Sequence, residues 1–533
     1  MSCKILRIGV FFDGTGNSKI PDSSKGKMSN IAKLSDMYKK EEFVDKFGKK
    51  TTPKMLYTNG VGTYDSDIVN FFNIIDRKYD KGGGGGGAER INKMIDDVAA
   101  ILDTHQYSKS DDAMFIKREI DVFGFSRGAA MARDFVNTFF KKKITKNKNY
   151  GDVSFNFIGI YDTVGSFGVP GNDQDFKPKR EYQKYFSEDY RPDGMDLSDE
   201  NFGIRDPDSS KKARIALEEV KIGFFGKKEL EKKMEAYSKN GWEVSFETAD
   251  IDENEESYVI YGSRPQTYFF EPYNFNLSVA SANKIVHMTA HNEVRKNFPL
   301  TDVRDSSGEE WTLMGVHSDV GGGYATKTVE EFVYDDVYYN EKRAKEKAKA
   351  LAMALNIKSL PFTQFDRWSA VDAESETNNG ITIYHPKLQK VISNDLSLIT
   401  LYLMYEQAIK YNVPLNEPTE ALPEYLNEYY EYARVNKSRA YTFDEKEKGE
   451  ALRDALSHHP ARDPAHKYDH KISTVSTMDG LLHDEPESGN DARYVDKNGN
   501  VVDGRVTPAL ADHVERAIYP NKPSLAISKL ENV

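Results

Sequence analysis

Gly124-Phe125-Ser126-Arg127-Gly128 fits the pattern G-x-S-x-G, in which a serine sits on a tight turn between a strand and a helix. The flanks supply both elements. Upstream, Ile120, Val122 and Phe123 form a short apolar run that reads as a buried strand. Downstream, Ala129-Ala130-Met131-Ala132-Arg133-Asp134-Phe135-Val136 reads as a helix. A serine on such a turn is pushed into a strained backbone with its hydroxyl exposed. Gly124 and Gly128, two residues to either side, keep side chains out of the crowded crossing. The bare pattern arises often by chance, and its bland alternative is a glycine-rich turn with a capping serine. The strand before it and the Ala-rich helix after it make Ser126 the candidate nucleophile.

Working outward, the same rhythm recurs. Ile5-Leu6-Arg7-Ile8-Gly9-Val10-Phe11-Phe12 reads as a buried strand ending in the turn residues Asp13-Gly14-Thr15-Gly16-Asn17. A helix is expected over Asn30 to Tyr38 and a short strand at Lys54 to Tyr57. Gly82 to Gly87 are six consecutive glycines. They read as a flexible loop, and no Gly-Lys-Ser/Thr follows to make a phosphate-binding loop. Ile91, Met94, Ile95, Val98 and Ile101 give Ala88 to Leu102 helical spacing. Val153 to Tyr161 is the next strand, closing on Asp162. From Phe176 to Asn274 the charge density rises and the alternation fades, so this span reads as an insertion. Trp242 to Glu247 and Ser257 to Gly262 look like a hairpin within it. The core is expected to resume with a helix near Ala282 to His287, then a strand Trp311 to Val316 ending at His317. Helices are expected around Glu330 to Leu355 and Leu396 to Tyr411. The tail beyond Pro418 reads as polar and irregular, with a hairpin turn at Asn498-Gly499. The resulting division is a core of residues 1–175 and 282–416, an insertion of 176–281 and an accessory region of 417–533.

The 533 residues carry 38% hydrophobic side chains and a net charge of −12. The pI is near 5.6 and the mean hydropathy −0.66. Nucleic acid is a poor partner for this balance, because phosphate neutralisation needs a basic face. One cysteine, Cys3, excludes an internal disulfide framework and a cysteine-based zinc site. Met1 to Phe12 shows no signal-peptide pattern, and no apolar run reaches the roughly 18 residues of a membrane span. Synthesis in the cytoplasm is the expectation, and any export would use a route other than an N-terminal signal.

Three strand ends carry Ser126, Asp162 and His317, in that order. Ligands of open α/β sheets bind beyond the carboxyl ends of the strands, and serine, acid, histidine is the chain order of the α/β-hydrolase triad. Ser126 would attack an acyl carbonyl, His317 would take and return its proton, and Asp162 would fix the imidazole tautomer. Asp319 is a rival acid, but two residues from His317 it is awkwardly placed and better suited to holding the Gly321–Gly323 loop. His287 and His291, at i,i+4 on the expected helix, lack the Glu of a zinc-protease motif and read as packing. His458, His459, His466, His470 and His483 read as surface residues. An oxyanion hole would use the Arg127 amide and a second N–H from the Asp13–Gly16 loop, Gly14 or Thr15. That loop also resembles the Asp-x-Asp-Gly-Thr motif of haloacid-dehalogenase phosphatases, but Phe11 occupies the nucleophile position. The aromatic run Tyr268 to Phe275 and the Gly165 to Pro170 loop fit either an acyl groove or packing of the insertion. No cofactor or metal is called for, and calcium dependence stays open.

Phe11 to Asn17, Gly124 to Ala130, Gly159 to Val164 and Gly315 to Tyr324 occur together and in order. With weaker echoes at Asn59 to Thr63, Glu293 to Phe298 and Leu396 to Met404, this set resembles the α/β-hydrolase family that includes the first class of type VI secretion lipase effectors. It spans roughly residues 8 to 410, the insertion excepted. The resemblance implies an α/β fold with a mainly parallel sheet flanked by helices. It implies a phospholipase A, delivered into a neighbouring bacterium's periplasm and acting on membrane phospholipid. A secretion spike protein would carry it, and a cognate immunity protein would protect the producer. The family's triad falls on Ser126, Asp162 and His317. The glycine run, the insertion and the lack of an obvious anchoring helix depart from the pattern and leave lid and docking surface open. A soluble carboxylesterase and a non-catalytic protein keeping the fold are the competing readings.

Overall fold

The computed structural model describes residues 4–45, 48–63, 86–105, 115–167, 176–182, 207, 209–222, 226–252, 255–293, 295, 298–306, 308–325, 327–333, 337–358, 367–378, 380–437, 494–495, 501–502, 513–514 and 516–527. Its centre is a seven-stranded sheet. The strands are β1 (Lys4–Phe12), β2 (Phe43–Val44), β3 (Lys50–Thr58), β4 (Phe115–Phe125), β5 (Val153–Tyr161), β6 (Lys284–Ala290) and β7 (Glu309–Leu313). Their spatial order is β7-β6-β5-β4-β1-β3-β2. All neighbours are parallel except the short edge pair β2–β3. Parallel strands need covering on both faces, which explains their near-continuous apolar runs. Leu6, Ile8, Val10 and Phe12 of β1 pack with helices α2 (Gly87–Thr104) and α3 (Arg127–Lys141). Phe11 points the other way, into a second core with α1 (Asn30–Met37) and α5 (Leu396–Lys410). The last of the helices that position the site is the short α4 (His317–Gly321).

The chain leaves β1 toward β3 and returns to β4 on the other side of β1. The loops after β1 and β4 therefore diverge where the strand order reverses, which is where such sheets bind ligands. Those loops hold Gly14 and Ser126.

Several expectations need correcting. Lys284 to Ala290 is a strand, paired with β5 and β7, not a helix. Its Ile285-Val286-His287-Met288-Thr289 run satisfies β-propensity on a fully covered pleated surface. His287 and His291 therefore never share a helix face. Within the expected Glu330–Leu355 helix, Thr328–Val333 is a strand and the helix is Glu341–Lys358. The region beyond Pro418 contains a helix, Asn427–Asn436, whose Tyr429 and Ala433 join the core. The histidines from His458 to His483 and the Asn498-Gly499 step lie outside the described residues, as do Gly82–Gly85. Gly86 has φ +80°, and a Cβ on Gly87 would meet the Phe167 ring at 2.5 Å, so both need glycine.

The expected hairpin is present as Glu243–Asp252 and Glu255–Pro265, and Lys212–Ile222 joins it in a three-stranded antiparallel sheet. Phe176–Pro178 pairs with Phe270–Pro272 at its neck. There Lys177 makes a buried ion pair with Asp134 of α3. Phe269 and Phe270 pack against Ala213 and Ile215, and Phe275 enters the main core. These rings pack the insertion rather than line a groove. The chain's last described segment returns to the core: Ile518–Tyr519 pairs parallel with Leu300–Thr301.

Candidate active site

Ser126 has φ 58° and ψ −129°, a conformation that costs a non-glycine residue about 1–3 kcal/mol and persists only where surroundings impose it. The surroundings are close. A Cβ on Gly128 would lie 2.3 Å from the carbonyl oxygens of Phe12 and Asp13, and one on Gly124 would lie 2.6 Å from the Gly128 carbonyl. The two glycines thus let α3 start directly against the end of β1. Gly128→Ala is expected to push these backbones apart, lowering stability by about 1–3 kcal/mol. The displaced elbow should lose about 100-fold in turnover. A thermal melt and an ester assay on the same preparation check both.

The elbow is stitched to the neighbouring strand end. Ser126 N–H donates to the Tyr161 carbonyl at 3.1 Å, and Val164 N–H donates to the Ser126 carbonyl at 3.3 Å. Between these contacts lies Asp162, itself at φ 38° and fully buried. Its Oδ2 is 2.5 Å from His317 Nδ1. The Ser126 hydroxyl makes no hydrogen bond among the described residues. Catalytic contacts of this kind commonly tighten only when substrate is bound.

Phe125 is the residue that sequence reasoning passed over. Its ring lies 4.6 Å from the His317 ring. A Cβ on Gly14 would meet it at 2.4 Å and one on Gly321 at 1.9 Å. The variable position of G-x-S-x-G therefore seats both the β1 loop and α4 around the serine. The Phe298 ring closes the other side of His317 edge-on at 4.9 Å. The His317 amide donates to Glu293 Oε2 at 3.2 Å, and Glu293 pairs with Arg295. Residues read only as weak echoes thus enclose the histidine. His317 opens α4, four residues past the end of β7, rather than ending the strand. Burial pushes its pKa below the usual histidine value, against the pull of Asp162.

Asp319 accepts from Val316 N–H at 2.9 Å. This carboxylate holds the turn that opens α4, and the carboxylate that meets His317 Nδ1 is Asp162. Four donors converge on Asp162. Oδ1 accepts from Ala290 N–H at 2.9 Å and Arg516 at 2.6 Å, and Oδ2 accepts from Arg516 at 2.8 Å besides His317. Burial alone would raise this carboxyl. The Arg516 guanidinium and His317 outweigh it and hold it far below the usual carboxylate range. Nothing near Arg516 in the sequence signals this contact, which joins residues 354 positions apart.

The β1 loop is equally built. Asp13 is buried and accepts from Ser29, Tyr57 and the Gly14 amide, the last at 2.7 Å. Burial pushes its carboxyl up to about 6, against those three donors. The Gly14 N–H, one of two candidate oxyanion donors, is therefore spent on Asp13. Thr15 is the candidate that remains, and its Oγ1 accepts from Arg127 Nε at 2.7 Å. That bond ties the loop to the residue after the serine. Gly60 is essential beneath it, since a Cβ there would sit 1.6 Å from the Gly14 carbonyl. His287 is committed elsewhere, with Nε2 accepting from Thr163 N–H at 3.1 Å and Nδ1 facing Glu310 at 3.2 Å. Among the described residues, no group of three or more His, Cys, Asp or Glu side chains is placed to hold a metal ion. Nor is any helix among them long and apolar enough to cross a membrane.

A search of curated proteins finds no match. One solved structure similar to the chain is that of the Tle1 effector bound to the VgrG spike from the type 6 secretion system. It is 18% identical, with a TM-score of 0.47 over 86% of this chain and 84% of that one. Another is an uncharacterized protein from Pseudomonas aeruginosa, 16% identical, with a TM-score of 0.32 over 80% of this chain and 49% of that one. Residues 7–141 match the family model of the type VI secretion phospholipase effector, Tle1-like, catalytic domain. That segment holds most of β1, the Gly14–Thr15 loop, β4, the Ser126 elbow and α3. Over that segment the chain is similar to the catalytic domain of these phospholipase effectors, in agreement with the resemblance read from the sequence.

Proposed function

We propose that this chain is a serine ester hydrolase of α/β-hydrolase fold, a phospholipase A that cleaves acyl esters of membrane phospholipids. The observation that carries the reading is the 2.5 Å contact between Asp162 and His317, beside a serine whose φ of 58° is imposed by its neighbours. In this reading, His317 removes the Ser126 proton as the hydroxyl attacks the acyl carbonyl. Asp162 stabilises the imidazolium that forms. The Arg127 and Thr15 amides receive the oxyanion, where one donor is worth about 3–4 kcal/mol. His317 then returns the proton to the departing lysolipid alkoxide, and water repeats the cycle on the acyl-enzyme. As a type VI effector, the protein would be carried by a secretion spike protein, act from a target cell's periplasm and be neutralised by an immunity protein.

The test is hydrolysis of phosphatidylethanolamine and phosphatidylglycerol vesicles against short p-nitrophenyl esters, with product analysis at sn-1 and sn-2. Release of free fatty acid and lysolipid is expected. Cleavage of the short esters with intact vesicles assigns the chain to the soluble carboxylesterases instead.

A further inference from the structure

Residues 516–527 form a strap across the rear of the triad. Leu300 N–H donates to the Ala517 carbonyl at 2.8 Å and Asp302 N–H to the Tyr519 carbonyl at 3.1 Å. Asn521 is buried and holds both backbone groups of Leu277, at 2.8 and 2.9 Å. Ile527 N–H reaches Asn137 of α3 at 2.9 Å. The buried Arg133 of α3 donates to the Thr301 and Asp302 carbonyls at 2.7 and 2.6 Å, and to Asn521 at 3.3 Å. This much anchoring fixes the head of the strap, Arg516. Its two terminal nitrogens take one oxygen each of Asp162, and its Nε donates to the Phe298 carbonyl at 2.6 Å. One guanidinium thus fixes both the acid behind His317 and the loop whose ring packs on His317.

We propose that Arg516 is the positioning residue of the triad acid, and that the catalytic site is complete only when the C-terminal strap is docked. The proposal rests on the triad reading above. A carboxylate bonded only to one imidazole and one amide can rotate about its Cβ–Cγ bond. The planar fork of an arginine removes that freedom, which a lysine's single ammonium cannot do. The fork also carries a charge. The groups facing His317 are Asp162 and Glu293, which favour the imidazolium, and Arg295, which opposes it. Arg516, on the far side of Asp162, adds to the opposition, so its loss should make His317 more basic.

The experiment uses the full chain and reads the rate of fluorophosphonate labelling of Ser126 across pH. In Arg516→Met, labelling at pH 8 should slow about 10- to 100-fold, the scale of a small misplacement of catalytic groups. The acid limb should move up by about one pH unit. Arg516→Lys keeps the charge and should lose less. In an Asp162→Asn background, Arg516→Met should cost less than about twofold, because a residue that acts through another has nothing left to act on. A wild-type rate and limb in Arg516→Met, or losses that multiply in the double variant, overturn the proposal. If Arg516→Met does not fold, a folded Arg516→Lys with wild-type rate and limb overturns it equally. Labelling of Ser126→Ala at the wild-type rate defeats the triad reading itself, and this proposal with it.

Discussion

Ser126→Ala is expected to lower turnover on any ester substrate by about a millionfold, the loss seen when a protease triad loses its serine. Fluorophosphonate labelling should vanish with it. The protein should stay folded, because the Ser126 side chain makes no hydrogen bond among the described residues and the elbow is held through backbone contacts to Tyr161 and Val164. Ser126→Gly separates strain from chemistry. It should be equally inactive yet no less stable than the wild type. Release of about 1–3 kcal/mol of backbone strain offsets the entropic cost of glycine, about 0.5–1 kcal/mol. A denaturant melt of the three proteins checks this. A Gly variant much less stable than the Ala variant would mean that the elbow is not strained.

Asp162→Asn should lower turnover by about 10⁴-fold, as removal of a triad acid's charge does elsewhere. Here it should also cost stability. Each Asp162 oxygen accepts two hydrogen bonds, so an amide NH₂ must face two donors wherever it points. Arg516 would be left buried opposite a neutral group, and breaking a buried pair from one side costs about 3–5 kcal/mol. The pH dependence follows from the signs. Asp162 is held far below its ordinary value by Arg516 and His317, against burial. Its contribution is therefore present above the unfolded value of about 4 and is lost as pH falls below it. The wild type should lose stability steeply below pH 4, and Asp162→Asn should show a shallower slope there. His317 is shifted down by burial, so it stays neutral and competent as a base somewhat below its ordinary value of about 6.5. The acid limb of wild-type kcat/KM belongs in that range. Equal acid slopes in the two proteins, from urea melts at several pH values, would contradict the assignment of Asp162.

Much of the site was legible because its parts are local. A strand that must end in a tight turn announces itself by apolar residues followed by glycine, and this was true after β1 and β4. The strand closing on Asp162 was equally plain in the chain. Where covering elements decide, local reading failed. Ile285 to Thr289 has apolar content that suits a helix or a two-sided strand, and only β5 and β7 on its flanks settle which. The same holds for Tyr268 to Phe275, where Ala213 and Ile215 cover Phe269 and Phe270, and the main core covers Phe275.

By itself, then, the amino-acid order determined the α/β alternation, the elbow at Ser126 and the placing of Asp162 at a strand end. These depend on backbone preferences within a few residues of each position. The tertiary structure alone decided which donors were spent and which carboxylate was clamped. Gly14 gives its amide to Asp13, Phe125 fills the space between Gly14, Gly321 and His317, and Arg516 crosses from the far end of the chain to Asp162. Hydrogen bonds and ion pairs of this kind depend on distance in space, and a polar residue in a polar stretch carries no mark of the partner it will meet.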